Sequence, residues 1–196
     1  MKYIFKKLFK IPIFGHRQRQ DFKFHKTGFS LLEIIVVISI IGIMTAIFTT
    51  QHLKDRGRKA LILGTEQVAN DIRNARSYTF NTTSFNGSGP PVGGFGIHFD
   101  EDSDSYIIFA DKDVPLDRVY SGVSEKYQKI TLLENTKISD LQINGGTVNS
   151  ADIVFVPPYG IIYINNDNTV GRELEITVTG PTGSNVITVN VSGRID

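Results

Sequence analysis

The feature that most constrains this chain is an apolar run from Phe29 to Phe48 that contains one ionisable side chain, Glu33. A helix of about 20 residues measures about 30 Å, which is the thickness of the hydrocarbon core of a bilayer. The run therefore predicts a helix that can span a membrane. A carboxylate near the centre of such a helix costs about 2.5 to 3.5 kcal/mol on insertion scales, and less near an end, so we expect Glu33 to have a partner.

The residues around the start of this run form a recognisable pattern. Lys26 is followed by Gly28, Phe29, Ser30, two leucines and Glu33. This pattern resembles the amino-terminal segment of the type IV pilin family. The resemblance implies that a membrane aspartic peptidase cleaves between Gly28 and Phe29 and methylates the new amino terminus. It also implies that Glu33 neutralises the α-amino group of a neighbouring subunit when the helices pack in a filament.

Three other interpretations of the apolar run agree less well with the sequence than the pilin-like one. A plain signal anchor would carry Glu33 by accident, which leaves the surrounding pattern unexplained. A cleaved secretory signal has an apolar region of about 7 to 15 residues and a small-residue cleavage site, and this sequence has neither. A membrane-anchored domain that never assembles would keep residues 1–28. We expect instead a leader, residues 1–28, that is removed on processing.

The charge of the leader differs in sign from the charge of the rest of the chain. Residues 1–28 contain eight Lys and Arg against one acid, whereas residues 29–196 contain 13 basic and 19 acidic side chains. Basic residues that flank a membrane helix stay in the cytoplasm. We therefore predict a single-pass protein of the bacterial inner membrane with an exported C-terminal domain, which enters a pilus or pseudopilus on assembly.

The sequence after the apolar run is amphipathic. No proline interrupts residues 29–80, so we predict that a membrane and assembly helix over 29–52 continues into an amphipathic helix over 53–80. Gly57 and Gly64 each cost about 1 kcal/mol relative to Ala and are the expected positions of a bend. Residues at alternating spacings of four and three define the face expected to pack on a sheet: Leu61, Thr65, Val68, Ile72, Ala75 and Thr79.

Residues 81–196 are predicted to form a β-rich domain. Residues 81–94 are rich in Gly, Ser, Pro and Asn and cannot sustain a helix. No helical pattern follows, so the sheets should be largely antiparallel and packed on one another or on the helix. The predicted fold class is α+β, a long N-terminal helix followed by an antiparallel sheet or sandwich. The predicted strands are Phe95–Phe99, Tyr106–Ala110, Lys129–Leu133, Lys137–Ile143, Ile153–Val156, Ile161–Ile164, Glu173–Val178 and Val186–Val191.

Two further segments resemble the H-type minor pseudopilins of type II secretion (GspH) and the FimT-type minor pilins. The resemblance implies a minor subunit at a filament tip, whose partners are prepilin peptidase/N-methyltransferase, other pilin or pseudopilin subunits and the inner membrane. The Phe-Pro-Gly turn is one residue wider here than in the family pattern. The residues that carry the resemblance are Ile72, Arg73, Ala75 and Arg76 in the helix, Phe155, Pro157 and Gly160 in a turn, and Gly193 and Arg194 in the tail.

One acidic stretch is a weak candidate for calcium. Asp100, Asp102 and Asp104 occupy positions 1, 3 and 5 of a calcium loop, but Ser105 stands where Gly belongs and Asp111 where Glu belongs. Residues 106–110 also read as a strand, so a solvated hairpin tip is the simpler interpretation. A second weak set of acids is Asp111, Asp113 and Asp117.

No catalytic constellation is present in the sequence. The four histidines are scattered and the chain has no cysteine, so a zinc site lacks its usual ligands. We predict that the protein is not an enzyme and needs no cofactor. The alternative function is that of a DNA-binding minor pilin of a DNA-uptake pilus, with Arg194 as the candidate contact. Because Asp196 lies beside Arg194 and residues 29–196 are acidic, nucleic acid is not the expected partner.

Overall fold

The computed structural model describes residues 28–112, 116–133 and 135–196. For residues 50–53 it describes the backbone but not the side chains. Contacts divide the chain into two units, Met1–Ile43 and Met44–Asp196. One long helix, α1 (Leu31–Phe80), is followed by strands alone in the described part of the chain. This order confirms the predicted α+β class with a long N-terminal helix.

The strands form two antiparallel sheets within the second unit. The five-stranded sheet has the order β3-β2-β1-β6-β7 and the four-stranded sheet has the order β5-β4-β8-β9. Each of the eight predicted strands is found, and the two-residue strand β5 was not predicted. The strands are β1 (Gly94–Asp100), β2 (Ser105–Asp111), β3 (Lys126–Thr131), β4 (Lys137–Ile143), β5 (Gly146–Thr147), β6 (Ser150–Val156), β7 (Ile161–Ile164), β8 (Glu173–Gly180) and β9 (Gly183–Asn190).

Strand β3 begins three residues earlier than predicted, and the reason is its position at the edge of the sheet. It pairs with β2 alone, and its residues are exposed except for the half-buried Ile130. The Tyr127 ring contacts Phe95 and Ile130 packs against the core, but their neighbours in this strand are polar and exposed, so Lys126 and Gln128 belong to it without giving a hydrophobic signal.

The predicted helix face forms one wall of the hydrophobic core. Leu61, Val68, Ile72 and Ala75 are buried in the same cluster as side chains from both sheets. The opposite face is exposed except at Asp71, which is half-buried and accepts a hydrogen bond of 2.6 Å from the Tyr106 hydroxyl. Burial and the bond to Asp71 raise the pKa of Tyr106, so this phenol remains a donor. Asp71 therefore joins the charged side of the helix to strand β2.

Gly57 and Gly64 permit close approach between the helix and the rest of the second unit. A Cβ at Gly57 would lie 3.1 Å from Thr182 Cγ2, and a Cβ at Gly64 would lie 3.4 Å from Thr136 Oγ1. Both glycines are buried inside the continuous helix α1. Their cost in helix propensity is thus offset by closer packing, a role that the sequence alone did not indicate.

The end of helix α1 is joined to the five-stranded sheet through the buried hydroxyl of Thr79. Its Oγ1 accepts a hydrogen bond from the Phe95 backbone N–H at 2.9 Å and donates to the Phe155 carbonyl at 3.1 Å. One side chain therefore connects the last turn of the helix with the adjacent strands β1 and β6.

We expect Thr79→Val to lower the free energy of unfolding by about 1 to 3 kcal/mol, because it leaves the Phe95 N–H and the Phe155 carbonyl without this partner in a buried place. Thr79→Ser keeps the hydroxyl and removes one methyl group, so about 0.8 kcal/mol is expected. Urea unfolding of the detergent-solubilised chain measures both. Equal stabilities of the two variants would contradict the proposed contribution of the hydrogen bonds.

Candidate processing and assembly segment

The helix starts two residues after Phe29, and Ser30 caps it. Ser30 Oγ accepts a hydrogen bond of 3.2 Å from the Glu33 backbone N–H, and the Ser30 carbonyl accepts one of 3.2 Å from the Ile34 N–H. Ser30 and Glu33 thus have the spacing of a capping box. The capping role of Ser30 was not predicted, although the S-x-x-E spacing before an apolar run indicates it.

Glu33 lies exposed in the first turn of α1. An acid in the first turn interacts favourably with the positive end of the helix dipole, typically by about 0.3 to 1 kcal/mol at an exposed site. Among the residues that the structure describes, Glu33 forms no ion pair. A cationic partner for this carboxylate must therefore come from outside the described chain.

The bond between Gly28 and Phe29 lies before the helix, in an exposed stretch without regular structure. A Cβ on Gly28 would meet nothing within 4 Å, and the Phe29 side chain is 78% exposed. The described part of the chain therefore places no steric barrier around the predicted cleavage site. Residues 1–27 of the leader lie outside the described residues.

The apolar run is exposed along its whole described length. The side chains from residue 28 to 49 are all exposed, and the helix is long and apolar enough to cross a membrane. The hydroxyls in this stretch are internally satisfied, since Ser39 Oγ donates to the Ile35 carbonyl at 2.7 Å and Thr49 Oγ1 donates to the Thr45 carbonyl at 2.8 Å. The segment is therefore compatible with lipid or with a bundle of helices.

The first calcium candidate forms a hairpin tip. Asp100 ends β1, and Asp102 and Asp104 lie in the turn to β2, as the simpler interpretation predicted. Asp102 accepts a 2.7 Å hydrogen bond from Lys137 Nζ, and Asp100 Oδ1 lies 3.2 Å from His98 Nε2. Within the described ranges, no three His, Asp or Glu side chains come together in a group that could hold a metal ion.

The second acidic set has a different arrangement, because Asp111 is buried beside Glu125. Neither carboxylate oxygen of Asp111 has a hydrogen-bond partner among the described residues, whereas the Glu125 carboxylate accepts from the Lys112 N–H at 3.3 Å and the Ser121 N–H at 2.9 Å. Burial, and then the charges of Glu125 and Asp117, raise the pKa of Asp111 to about 6. Asp113, the third member of this set, lies outside the described residues.

His98 is a second group whose pKa is shifted by neighbouring carboxylates. Its Nδ1 lies 2.8 Å from Asp152 Oδ1, and its Nε2 faces Asp100. Burial is the largest single effect and lowers its pKa, but the hydrogen bond and charge of Asp152, followed by those of Asp100, raise the pKa above 6.5 overall. Stabilisation by this pairing is fully present below pH 6.5 and is lost as pH rises through the raised pKa.

We expect Asp111→Asn to gain stability relative to the parent as pH rises from about 4 to 7. The carboxyl of Asp111 has a raised pKa of about 6 in the folded chain against a usual 3.8, so its ionisation destabilises the fold as pH rises. The full difference corresponds to at most about 3 kcal/mol, and about 1 to 2 kcal/mol is expected because Asp117, whose charge contributes to the shift, is only half-buried and is partly screened by water. Urea unfolding at several pH values measures the difference, and a difference that does not change with pH contradicts it.

The candidate DNA contact, Arg194, is an exposed residue in the turn after β9. Its side chain is 72% exposed, its guanidinium forms an ion pair with Asp196, and its backbone N–H donates to Asn190 Oδ1 at 3.2 Å. The positive charge is therefore compensated by a neighbour of the same chain. The structure does not bring a further basic side chain into the groove that Arg194 lines with Glu173, Thr188, Asn190 and Asp196.

The helix and tail segments that carry the minor-subunit resemblance meet in space. Arg76 lies over the Phe80 ring at 5.6 Å, and a Cβ at Gly193 would lie 3.3 Å from an Arg76 guanidinium nitrogen. A Cβ at Gly160 would overlap the Phe80 ring. These segments are thus parts of one packed region at the end of α1.

Comparison with known proteins supports the amino-terminal segment. A family model for the prokaryotic N-terminal methylation motif matches residues 23–49, a range that includes Gly28, Phe29 and Glu33. No curated protein and no solved structure matches the chain. The motif supports a type IV pilin-type leader that is a substrate for prepilin peptidase, and with the apolar helix it fits membrane anchoring.

Proposed function

We propose that this protein is a structural, non-enzymatic minor subunit of a type IV pilus or of a type II secretion pseudopilus, of the H-type or FimT-type class. Prepilin peptidase cleaves after Gly28 and methylates Phe29, and the processed helix then assembles with other subunits. The observation that carries the proposal is the methylation motif at residues 23–49, which leads directly into an exposed apolar helix.

The exposed apolar surface supports the assembly step. Large side chains such as Phe29, Leu31 and Leu32 are more than two-thirds exposed, so the described chain does not cover them. Lipid covers this surface while the protein is anchored in the inner membrane. Neighbouring helices cover it in a filament, where van der Waals packing replaces contacts with lipid.

Glu33 provides the polar contact in this packing. The Glu33 side chain is exposed and forms no ion pair among the described residues, so its carboxylate is available to a cation. Cleavage after Gly28 creates an α-amino group on Phe29, four positions before Glu33 in each subunit. A carboxylate and an ammonium that are buried together offset part of each other's desolvation cost, whereas either one alone is strongly unfavourable.

The assignment to a minor subunit rests on the resemblance of the helix and tail segments, in which Arg76 and Gly193 lie close together. A non-enzymatic role is supported by the sequence, which contains no nucleophile, phosphate-binding or metal-binding motif. The DNA-binding alternative is disfavoured by the ion pair of Arg194 with Asp196. Retardation of DNA by the protein at low salt, lost in Arg194→Ala, would favour that alternative.

Mass spectrometry of the membrane-extracted protein tests the proposal. We expect a mature chain that begins with methylated Phe29 in cells with active prepilin peptidase, and an unprocessed chain in cells without it. Gly28→Val should block cleavage, and because a Cβ at this position meets nothing within 4 Å, such a block reports recognition by the peptidase and not strain in the chain. Retention of residues 1–28 in peptidase-positive cells would overturn the proposal.

A further inference from the structure

A cluster of basic residues follows the apolar run on helix α1. Lys54, Arg56, Arg58 and Lys59, which we call the basic collar, are all exposed, and Asp55 is the one acid among residues 54–59. None of the four cations forms an ion pair within the described part of the chain. Exposed cations without acidic partners are available to an anion from outside the protein.

The position of the basic collar on the helix places it beside the polar surface of a membrane. Phe48 is the last residue of the apolar run, and at 1.5 Å per residue Lys54 and Lys59 lie about 9 and 17 Å further along α1. The headgroup region adds about 5 to 8 Å to each side of the hydrocarbon core, and long basic side chains extend back towards it. The collar charges therefore lie within, or about one Debye length from, the headgroup layer.

A groove of about 510 Å³ lies beside the basic collar, and its lining combines two collar cations with apolar side chains. Leu63 is 54% exposed and Leu133 is 41% exposed, although both are apolar. Cations next to exposed leucines match the two parts of a phospholipid. The cations suit its anionic phosphate, and the leucines suit its apolar glycerol and upper acyl region. The groove is lined by Arg56, Lys59, Gly57, Ala60, Leu63, Leu133, Asn135 and Pro181.

The charge distribution of the chain also singles out the collar. Basic residues close to the exported end of a membrane helix oppose the orientation that the leader imposes, so they carry a cost that calls for a function. Residues 60–196 contain 9 basic and 17 acidic side chains, and an anionic membrane surface repels such a domain. The collar is therefore the part of the processed chain whose charge favours contact with an anionic membrane.

We propose that the basic collar and its groove bind the headgroups of anionic phospholipids on the exported face of the membrane. This inference rests on the membrane-spanning part of the proposed function and is independent of cleavage and methylation. Binding of this kind holds the helix at a defined depth in the bilayer before the subunit enters a filament.

The test uses the full chain in vesicles made of equal parts of neutral and anionic phospholipid. The chain has no cysteine, so Ile62→Cys supplies a single thiol for a fluorophore beside the groove. Trace amounts of a neutral or an anionic lipid with a nitroxide headgroup then quench the fluorophore. We expect quenching by the anionic lipid to be about threefold stronger than by the neutral lipid, and this preference should fall at high salt.

A matched pair of variants locates the effect. Arg56→Gln with Lys59→Gln removes the two collar charges that line the groove and leaves Lys54 and Arg58, so it should reduce the preference from about threefold to below about twofold. Lys126→Gln with Lys129→Gln removes the same charge from the exposed strand β3 and should leave the preference unchanged.

Three results would overturn the inference: equal quenching by both lipids in the parent chain, a preference that is unchanged in the groove variant, or an equal loss of preference in both variants. If both lipids quench equally, and if the groove variant also cross-links more weakly to other copies of the chain, then the collar binds an acidic protein surface and not lipid. Vesicle flotation separates this failure from failure of the proposed function. A chain that does not insert contradicts the membrane-spanning helix, whereas insertion without lipid preference contradicts the lipid contact alone.

Discussion

Glu33→Ala is expected to leave cleavage after Gly28 largely intact and to reduce incorporation into filaments at least about tenfold. Removal of one partner of a buried ion pair costs about 3 to 5 kcal/mol, because the remaining charge stays buried without compensation. In the proposed assembly, the remaining charge is the α-amino group of a neighbouring processed subunit. The start of the helix should survive the substitution, because Ser30 is bonded to the backbone N–H of residue 33 and not to its side chain.

Two variants separate the charge of Glu33 from its effect on the helix. Glu33→Gln keeps the size of the side chain and removes its charge, so it should assemble as poorly as Glu33→Ala. Ser30→Ala removes the cap at a cost of about 1 kcal/mol and keeps the charge, so it should assemble nearly normally. Immunoblots of sheared filaments and of membranes, with mass spectrometry of the amino terminus, measure these outcomes. Filaments that contain Glu33→Ala at the parental level would refute the charge-pairing mechanism.

Gly94→Ala is expected to destabilise the β domain by more than about 3 kcal/mol and to prevent its stable folding. Gly94 begins strand β1 with a φ of +90°, a conformation that L side chains rarely adopt. In addition, a Cβ at this position would overlap the Phe155 carbonyl oxygen of the paired strand β6 and approach Pro157 Cδ at 3.1 Å. The substitution therefore combines backbone strain with a collision that a strand inside a sheet cannot relieve by a small movement.

Gly89→Ala is the matched control for this prediction. Gly89 has the same φ of +90°, but a Cβ at this position would meet nothing within 4 Å. It should therefore lose only the energy of the unfavourable backbone conformation, about 1 to 2 kcal/mol. Circular dichroism during thermal unfolding compares the two variants in detergent. If both lose the same amount of stability, the collision with β6 contributes nothing and the prediction is wrong.

The sequence was sufficient for features that depend on local pattern. The apolar length of residues 29–48, the spacing of Leu61 to Thr79 and the turn residues after Phe80 each identify an element through the geometry of helices and strands. The predicted bounds of the edge strand β3 differ from the observed ones. Most of its side chains are exposed, so its sequence shows little hydrophobic periodicity. The processing segment was equally accessible, because its recognition depends on residues that are contiguous in the chain.

Features that depend on residues far apart in the chain were not accessible in this way. Thr79 meets Phe95 and Phe155, and Asp71 meets Tyr106, because the order of strands brings these positions together. Asp111 was considered with Asp113 and Asp117 because they are close in sequence. The buried neighbour of Asp111 is Glu125. This residue directly precedes β3, and the pairing of β3 with β2 places it near the end of β2.

The amino-acid sequence by itself determined that a basic segment precedes an apolar helix with one acid near its start, and that antiparallel strands follow. Composition and spacing are local properties, and they act before any distant contact has formed. Only the tertiary structure decided which glycines face a neighbouring backbone, which carboxylate is buried beside a second carboxylate, and which cations line an apolar groove. Each of these depends on the desolvation and steric fit of groups that come together after the sheets have packed on the helix.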